Sequence, residues 1–293
     1  MSGLRILVTG ASGQLGRSLA DIKETLPAEW VFTQRGELDI SDPTGVQQYF
    51  AAHRFDYCFN TAAYTRVDGA ETDRDAARMI NETAPGIVGA CCAQQGCALI
   101  HFSTDYVYDN GLTRPLKEDD PCTPASVYAH SKLAGERLAL AANGKTLMIR
   151  TSWVFSEYGH NFVRTMARLL MESRSVRVVN DQVGCPTYAG DLAKALVHII
   201  QRFEAGDPKA VFGLYNFCNS GAVTWYDFAL EIGRQLGIGA RISPVSTEEY
   251  GALAARPPYS VLDTSKIESA FDLQIQPWEK GLTQVLSRMQ TSA

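Results

Sequence analysis

Apolar and polar residues along this chain change period in blocks. The run Leu4-Arg-Ile-Leu-Val8 is short and β-favouring, and a glycine-punctuated turn separates it from helical spacing over residues 17–26. The succession repeats: a strand over 30–33 precedes a helix over 46–53, whose start is marked by an Asp or Ser cap and Pro43. A strand over 56–60 precedes a long helix over 73–95, and a strand over 98–102 precedes the helix that carries Tyr128 and continues through residues 133–140. Another strand covers 146–155. Strands alternating with helices predict an α/β fold, a doubly wound parallel sheet of the Rossmann type.

After Trp153 the rhythm alters. Helices are expected over 161–172, 189–202, 225–236 and 278–289, with short strands over 176–179, 212–217 and 242–245. Between them lie a polar loop, Asn180-Asp-Gln182-Val-Gly184-Cys-Pro186-Thr187, and a proline-stiffened loop over 254–260. The expected division is a Rossmann domain over 1–150 and a smaller C-terminal part over 151–293, with segments around 176–237 packing back on the sheet. No Gly/Ser-rich linker separates the two, so they should meet by direct packing.

Composition narrows the partners. A chain of 293 residues with 45% hydrophobic content suits one main domain and an annex. The net charge is −5 with both signs interspersed, which leaves no basic patch for nucleic acid. No run approaches the roughly 20 apolar residues that span a membrane, and the first residues enter a strand without the apolar core of a secretory signal. Seven cysteines, an odd number without Cys-x-x-Cys spacing, read as reduced thiols of a cytoplasmic protein.

The candidate chemistry sits where strands end. Gly10, Gly13 and Gly16 follow the first strand and open a helix; such glycines let a pyrophosphate approach the backbone, and the helix N-terminus offers free N–H groups. Their spacing is not the literal G-x-G-x-x-G, and a ligand-free tight turn satisfies it too. Arg35 stands after the second strand where an acid would select NAD; an arginine there pairs with a 2′-phosphate, so NADPH is expected, with NADH possible. Thr61-Ala62-Ala63 and Ser103-Thr104-Asp105 follow later strands, the first small enough to admit a ligand, the second able to orient a carbonyl. Tyr128 and Lys132 share a helix face, and a cation beside a phenol should draw its pKa down toward neutrality and make it a proton donor. A surface tyrosine and a solvated lysine satisfy the same spacing.

Five further stretches bear on the choice: Ala62-Ala-Tyr-Thr65-Arg-Val67-Asp-x-Ala-Glu71, His101-Phe-Ser-Thr-Asp-Tyr-Val-Tyr108, Arg150-Thr-Ser-Trp153-Val-Phe155, Asn180-Asp-Gln182-x-Gly184-x-Pro186-Thr187 and Ala255-Arg256-Pro257. With the glycine loop and Tyr128-x-x-x-Lys132, the whole chain resembles the extended short-chain dehydrogenase/reductase family, and within it the branch that reduces dTDP-linked 4-dehydro-6-deoxy sugars. The resemblance implies a cofactor pyrophosphate on Gly13, Gln14 and Leu15. It puts the adenosine end near Arg35, Asp39 and Ile40, and the nicotinamide near Ala62, Ala63, Thr65 and Phe102, with Tyr128 and Lys132 alongside. Val67, Thr104, Asp105, Tyr128 and Trp153 would surround the sugar, with Gln182 and Arg256 toward its nucleotide. Thr104, Tyr128 and Lys132 would be catalytic: the cofactor would give hydride to C4 of dTDP-4-dehydro-6-deoxy-L-mannose and Tyr128 a proton to the C4 oxygen, yielding dTDP-L-rhamnose.

The alternatives are a reductase or epimerase of another nucleotide sugar, and a non-catalytic regulatory subunit on the same fold. Two departures from the family pattern stand out. Some members dimerise through a metal on C-terminal glutamates, whereas this chain ends Gln290-Thr-Ser-Ala293 and has Gly190, so no metal is expected and a homodimer stays open. Tyr64 replaces a frequent histidine.

Overall fold

A computed structural model describes residues 3–172, 175–239 and 241–291. Ser292 and Ala293, invoked above for the missing acidic ligand, lie outside the described residues.

Strand β1 (Leu4–Thr9) pairs with β2 (Ala28–Thr33) on one side and β3 (Tyr57–Asn60) on the other. Beyond β3 come β4 (Ala98–Thr104), β5 (Thr146–Thr151) and the edge strand Gly213–Phe217. All six strands are parallel, in the order β2-β1-β3-β4-β5 and then the edge strand. The chain leaves β1 toward one edge and returns after β2 to the other side. The carboxyl ends of β1 and β3 therefore flank the crevice in which ligands of such sheets bind.

Strand periodicity explains why both faces are apolar. Ile6, Val8, Phe59, Ile100 and Ile149 face a layer containing Leu192, Leu196, Ile199 and Ile200 of the helix Ala189–Glu204. Leu7, Cys58, Leu99 and Met148, on the opposite pleats, face Val46 and Phe50 of the helix Pro43–Ala52 and Val88 and Cys91 of the helix Ala84–Gln95. Each such side chain, fully buried, contributes about 1.5–3 kcal/mol. No helix among the described residues is long and apolar enough to cross a membrane.

Helix α1 (Gln14–Asp21) begins three residues before the periodicity suggests, and a 3-10 turn, Lys23–Thr25, follows it. Helix α2 (Pro43–Ala52) is capped by Asp42, whose carboxylate accepts from the Thr44 N–H. The expected long helix over 73–95 is interrupted. It is preceded by α3 (Val67–Thr72) and consists of α4 (Arg74–Arg78), a π turn over Met79–Thr83 and α5 (Ala84–Gln95). Pro85 has no N–H to give the carbonyl of Asn81, and the wider turn falls at that missing bond.

The expected strand over 146–155 also breaks. It stops at Thr151; Trp153 takes φ +46°, and Val154–Phe155 pairs instead with Thr187–Tyr188. Around that second pair gathers a smaller layer, with Val163, Met166, Leu170, Val178, Phe228, Ile232, Trp278 and Leu282 buried together. Of the 176–237 region expected on the sheet, Ala189–Glu204 and Gly213–Phe217 join it, as do Ile267 and Phe271 of the helix Ser265–Phe271. Strand Val176–Val179 and helix Trp225–Leu236 instead build the smaller layer. An amphipathic period marks a face as buried without naming the layer that covers it.

Candidate active site

The glycine turn after β1 is shaped by close backbone approach. Gly10 has φ +63°, and a Cβ there would fall 2.7 Å from the Ala62 backbone; one on Gly16 would fall 2.6 Å from Ala11 Cα. Helix α1 has Gly13 as its N-cap, so no side chain caps it, and there is no acid in its first turn. Its N–H groups and partial positive charge are left for an anion. Gln14 offers only its backbone, because its side chain is tied to the Val154 carbonyl (3.2 Å), Ser156 (2.9 Å) and Asn161 (2.9 Å). Leu15 is turned into the core. The Thr61 hydroxyl donates to the Thr9 carbonyl (2.6 Å) and the Thr9 hydroxyl to Asn60 (2.7 Å), which fastens the ends of β1 and β3 and fixes where Ala62 and the exposed Ala63 and Thr65 emerge. A cradle that side chains would fill, ahead of an uncapped helix, fits a dinucleotide pyrophosphate.

At the end of β2, exposed Arg35 donates to Asp39 at 2.9 Å, and Asp39 also accepts from the Ser41 N–H and hydroxyl. Burial opposes the charge on Asp39, but these bonds outweigh it and hold the carboxyl below its ordinary range. Ile40 is buried beneath. The arginine expected to meet a 2′-phosphate thus starts from an exposed ion pair, which is weak and exchangeable.

Helix α6 (Val127–Ala142) carries the tyrosine and lysine. Ser126 caps it by accepting from the Ala129 N–H (3.2 Å), and Glu71 accepts from the Val127 N–H (2.9 Å). The π turn presses on the same helix. Asn81 exchanges two 2.9 Å bonds with the Tyr64 backbone, and its amide donates to Ser131, one residue before Lys132. Behind it, Glu136 and Arg150, both nearly inaccessible, make a two-pronged ion pair at 2.6 and 3.0 Å that joins α6 to β5.

The ammonium of Lys132 is engaged by strand β4. It donates to the Phe102 carbonyl at 2.5 Å, and burial lowers its pKa to about 8 against the opposing charge of Glu136. Tyr128 is pushed up to about 12 by desolvation and by the charge of Asp105, with a Thr104 hydrogen bond acting the other way. The expectation that Lys132 draws the phenol toward neutrality is therefore corrected. The phenol's loss of water dominates, and Thr104 beside it offsets only part of that.

Thr104 ends β4. Its hydroxyl accepts from the Tyr106 N–H (3.2 Å) and donates to Asp105 Oδ1 (3.1 Å), and it lies near enough to the Tyr128 phenol to favour the phenolate. Asp105 is 2% exposed, and desolvation raises its pKa to about 7 although Ser260 and Thr104 favour the charged form. Tyr106 packs edge-on against Tyr128 with ring centroids 6.0 Å apart.

Thr151 lies opposite Thr104 in register, which puts Trp153 just beyond that strand end. A left-handed backbone is rare for so bulky a residue and costs roughly 1–3 kcal/mol. Here Trp153 stacks on Trp225 at 3.5 Å, while the Ser152 hydroxyl holds the Cys185 carbonyl at 2.6 Å. Gly184 is required beneath the indole, since a Cβ would come within 2.6 Å of it. Val67 opens α3, and the next residue, Asp68, binds Arg256 through both oxygens at 3.1 and 2.8 Å. Arg256, expected near the nucleotide, is thereby fixed by α3, and its charge reaches Tyr106. Gln182 is buried, and its amide donates to Thr247 at 2.9 Å; the adjoining Val183 bridges Tyr259, so Gln182 and Arg256 stand on neighbouring segments. Sequence reasoning did not single out Asp68, Tyr106, Ser260 or Trp225. Asp68 and Tyr106 lie inside stretches already notable, whereas nothing local marks Ser260 or Trp225.

Residues 4–291 match the family model described as RmlD substrate binding domain. The chain belongs to that family. It is similar to the dTDP-4-dehydrorhamnose reductase of Aggregatibacter actinomycetemcomitans, 38% identical over 288 residues that cover 96% of this chain and 98% of the relative. A Clostridium acetobutylicum dTDP-4-dehydrorhamnose reductase structure superposes with TM-score 0.92 at 35% identity, covering 98% of this chain and all of that one. One from Bacillus anthracis, in complex with NADP, gives 0.91 at 35% identity over 98% and 100% of the two chains.

Proposed function

We propose that this chain reduces the C4 ketone of dTDP-4-dehydro-6-deoxy-L-mannose to dTDP-L-rhamnose, with NADPH as hydride donor and NADH as a poorer one. One observation carries the reading. The glycine cradle after β1 and the pairing of Thr104 with Tyr128 beyond the end of β4 stand on one carboxyl edge of the sheet, in a chain of this family. The NADP complex of the Bacillus anthracis relative supports the choice of cofactor.

The residues divide the work. Gly10, Gly13 and Gly16 and the N–H groups of Gln14 and Leu15 would hold the pyrophosphate, Arg35 the 2′-phosphate, and Lys132 the nicotinamide ribose. When bound, the nicotinamide supplies hydride to the C4 carbon. Charge then develops on the C4 oxygen, and Tyr128 donates its proton there while Thr104 orients the carbonyl. A phenol with a raised pKa stays protonated at neutral pH, ready to donate. Trp153, Val67, Gln182 and Arg256 would bound the sugar and its nucleotide, so that residues 1–150 chiefly serve the cofactor and residues 151–293 the substrate. Seven free thiols suit the reducing cytoplasm.

The test is NADPH oxidation, followed by absorbance, with this sugar and with GDP- and UDP-linked 4-keto sugars. Turnover with the dTDP sugar, falling about 10²–10⁴-fold in Tyr128→Phe, is expected. Oxidation confined to GDP or UDP sugars would reassign the substrate, and binding without oxidation would remove the catalytic reading.

A further inference from the structure

We propose that Trp225 is a positioning residue for the nucleotide sugar: it sets the Trp153 indole at the sugar site, and its loss weakens sugar binding while leaving the cofactor site untouched. The inference rests on Trp153 bounding the sugar, as proposed above, and adds what holds it there.

Trp153 stands just beyond the end of β5, on the carboxyl edge of the sheet, with φ +46°. A bulky residue keeps such a backbone only where its surroundings over-determine it. Three bonds fix the chain around it. The Ser152 hydroxyl donates to the Cys185 carbonyl at 2.6 Å, the Trp153 carbonyl accepts from the Thr187 N–H at 3.3 Å, and the Val154 carbonyl accepts from the Gln14 amide at 3.2 Å. None of these bonds involves the indole, so its orientation is left to side-chain packing.

A short ribbon supplies that packing. Val183–Gly184 pairs antiparallel with Val223–Thr224, Gly184 opposite Val223 and Val183 opposite Thr224. The ribbon brings Gly184 against Trp153, where a Cβ would come within 2.6–2.8 Å of three indole atoms, and it delivers Trp225 one residue past its end. The Trp225 and Trp153 ring centroids are 3.5 Å apart, with 8° between the planes. Phe162 packs on Trp225 at 4.7 Å, and buried Phe228 stacks on Phe162 at 5.6 Å. Thr224 caps the helix that Trp225 opens, its hydroxyl accepting from the Asp227 N–H at 3.0 Å. Both indoles are only partly buried. The stack thus reaches from the core of the smaller layer to the sheet edge, and Trp153 is its outer end.

Without Trp225 the indole regains rotamer freedom that sugar binding must remove again. Ordering one such side chain costs about threefold to tenfold in affinity. The loss falls on ground state and transition state alike, so KM rises while kcat stays. The glycine cradle is shaped by Ala62 and Ala11, far from this contact in the chain, and NADPH binding should not move.

The experiment compares wild-type protein with Trp225→Leu and Trp225→Phe. Calorimetry gives Kd for dTDP-L-rhamnose and for NADPH, and NADPH oxidation with dTDP-4-dehydro-6-deoxy-L-mannose gives kcat and KM. Trp225→Leu should raise the sugar Kd and KM about threefold to tenfold, with kcat and the NADPH Kd within about twofold, and Trp225→Phe, which restores an aromatic face, should regain most of the loss. An unchanged sugar Kd in Trp225→Leu, equal losses of sugar and NADPH affinity, or no recovery in Trp225→Phe overturns the proposal. Circular dichroism reads the stack directly, as an exciton couplet that Trp225→Leu removes; a wild-type spectrum without it overturns the contact. Should Trp225→Leu not fold, Gly184→Ala decides, because its Cβ displaces the indole from the other side: a weakened sugar Kd supports the proposal and an unchanged one overturns it. Wild-type protein that binds dTDP-L-rhamnose yet oxidises no NADPH overturns the reaction proposed above, and the affinities alone then judge Trp225; wild-type protein that does not bind this sugar overturns both.

Discussion

Replacing Gly135 by alanine tests whether the Tyr128 helix is positioned by its contact with the π turn. Gly135 lies on the same face of α6 as Tyr128 and Lys132, and its Cβ would sit 1.8 Å from the Asn81 carbonyl oxygen and 3.2 Å from Glu82 Cα. The obstacle is backbone, and Asn81 is itself held by two bonds to Tyr64. Helix α6 must therefore retreat by about 1 Å or more, since a carbon and an oxygen rarely approach closer than about 3 Å. Overpacking of this kind costs about 1–3 kcal/mol. A 1 Å displacement of reacting groups costs on the order of a hundredfold in rate. Urea unfolding and NADPH oxidation are the assays, with Gly144→Ala as control because its Cβ would meet nothing within 4 Å. A Gly135→Ala variant with the wild-type midpoint and rate would refute the reasoning.

Other outcomes follow from buried charge. Glu136→Ala leaves the Arg150 guanidinium, 3% exposed, without its carboxylate, and should lower stability by about 3–5 kcal/mol in urea unfolding; a loss under about 1 kcal/mol would contradict the burial argument. Asp105 titrates near 3.8 when unfolded and near 7 when folded. Between those values the folded chain binds the extra proton, so stability should fall as pH rises from about 4 to about 7 and level off above, by a few kcal/mol. Asp105→Asn should lack that slope in urea titrations at several pH values, and parallel pH profiles of the two proteins would count against a raised pKa.

Much of this organisation is legible because strand period and glycine placement act locally. Leu4–Thr9, Gly10, Gly13 and Gly16 announce a strand, a turn and an open helix end, and the fold adds only the reason for the spacing, the close approach of Ala62 and Ala11. Tyr128 and Lys132 share a face as their spacing requires. Their electrostatics were not legible, since a phenol's pKa depends on how much water it loses and on Thr104 and Asp105, which stand at and just beyond the end of β4. The π turn at Asn81 could have been suspected from Pro85, but the Gly135 contact that makes it matter is long-range. Likewise, Arg256 stands out as a cation in a proline-rich loop, yet its orientation by Asp68 depends on tertiary contact alone.

The most direct measurement of the central claim follows the hydride itself. Protein is incubated with NADPH carrying deuterium at the transferred position and with dTDP-4-dehydro-6-deoxy-L-mannose, and the nucleotide sugar is analysed by NMR and mass spectrometry. The account predicts dTDP-L-rhamnose with deuterium at C4 and a rate that collapses in Tyr128→Phe. Product without deuterium at C4, or an undiminished rate in that variant, would contradict it.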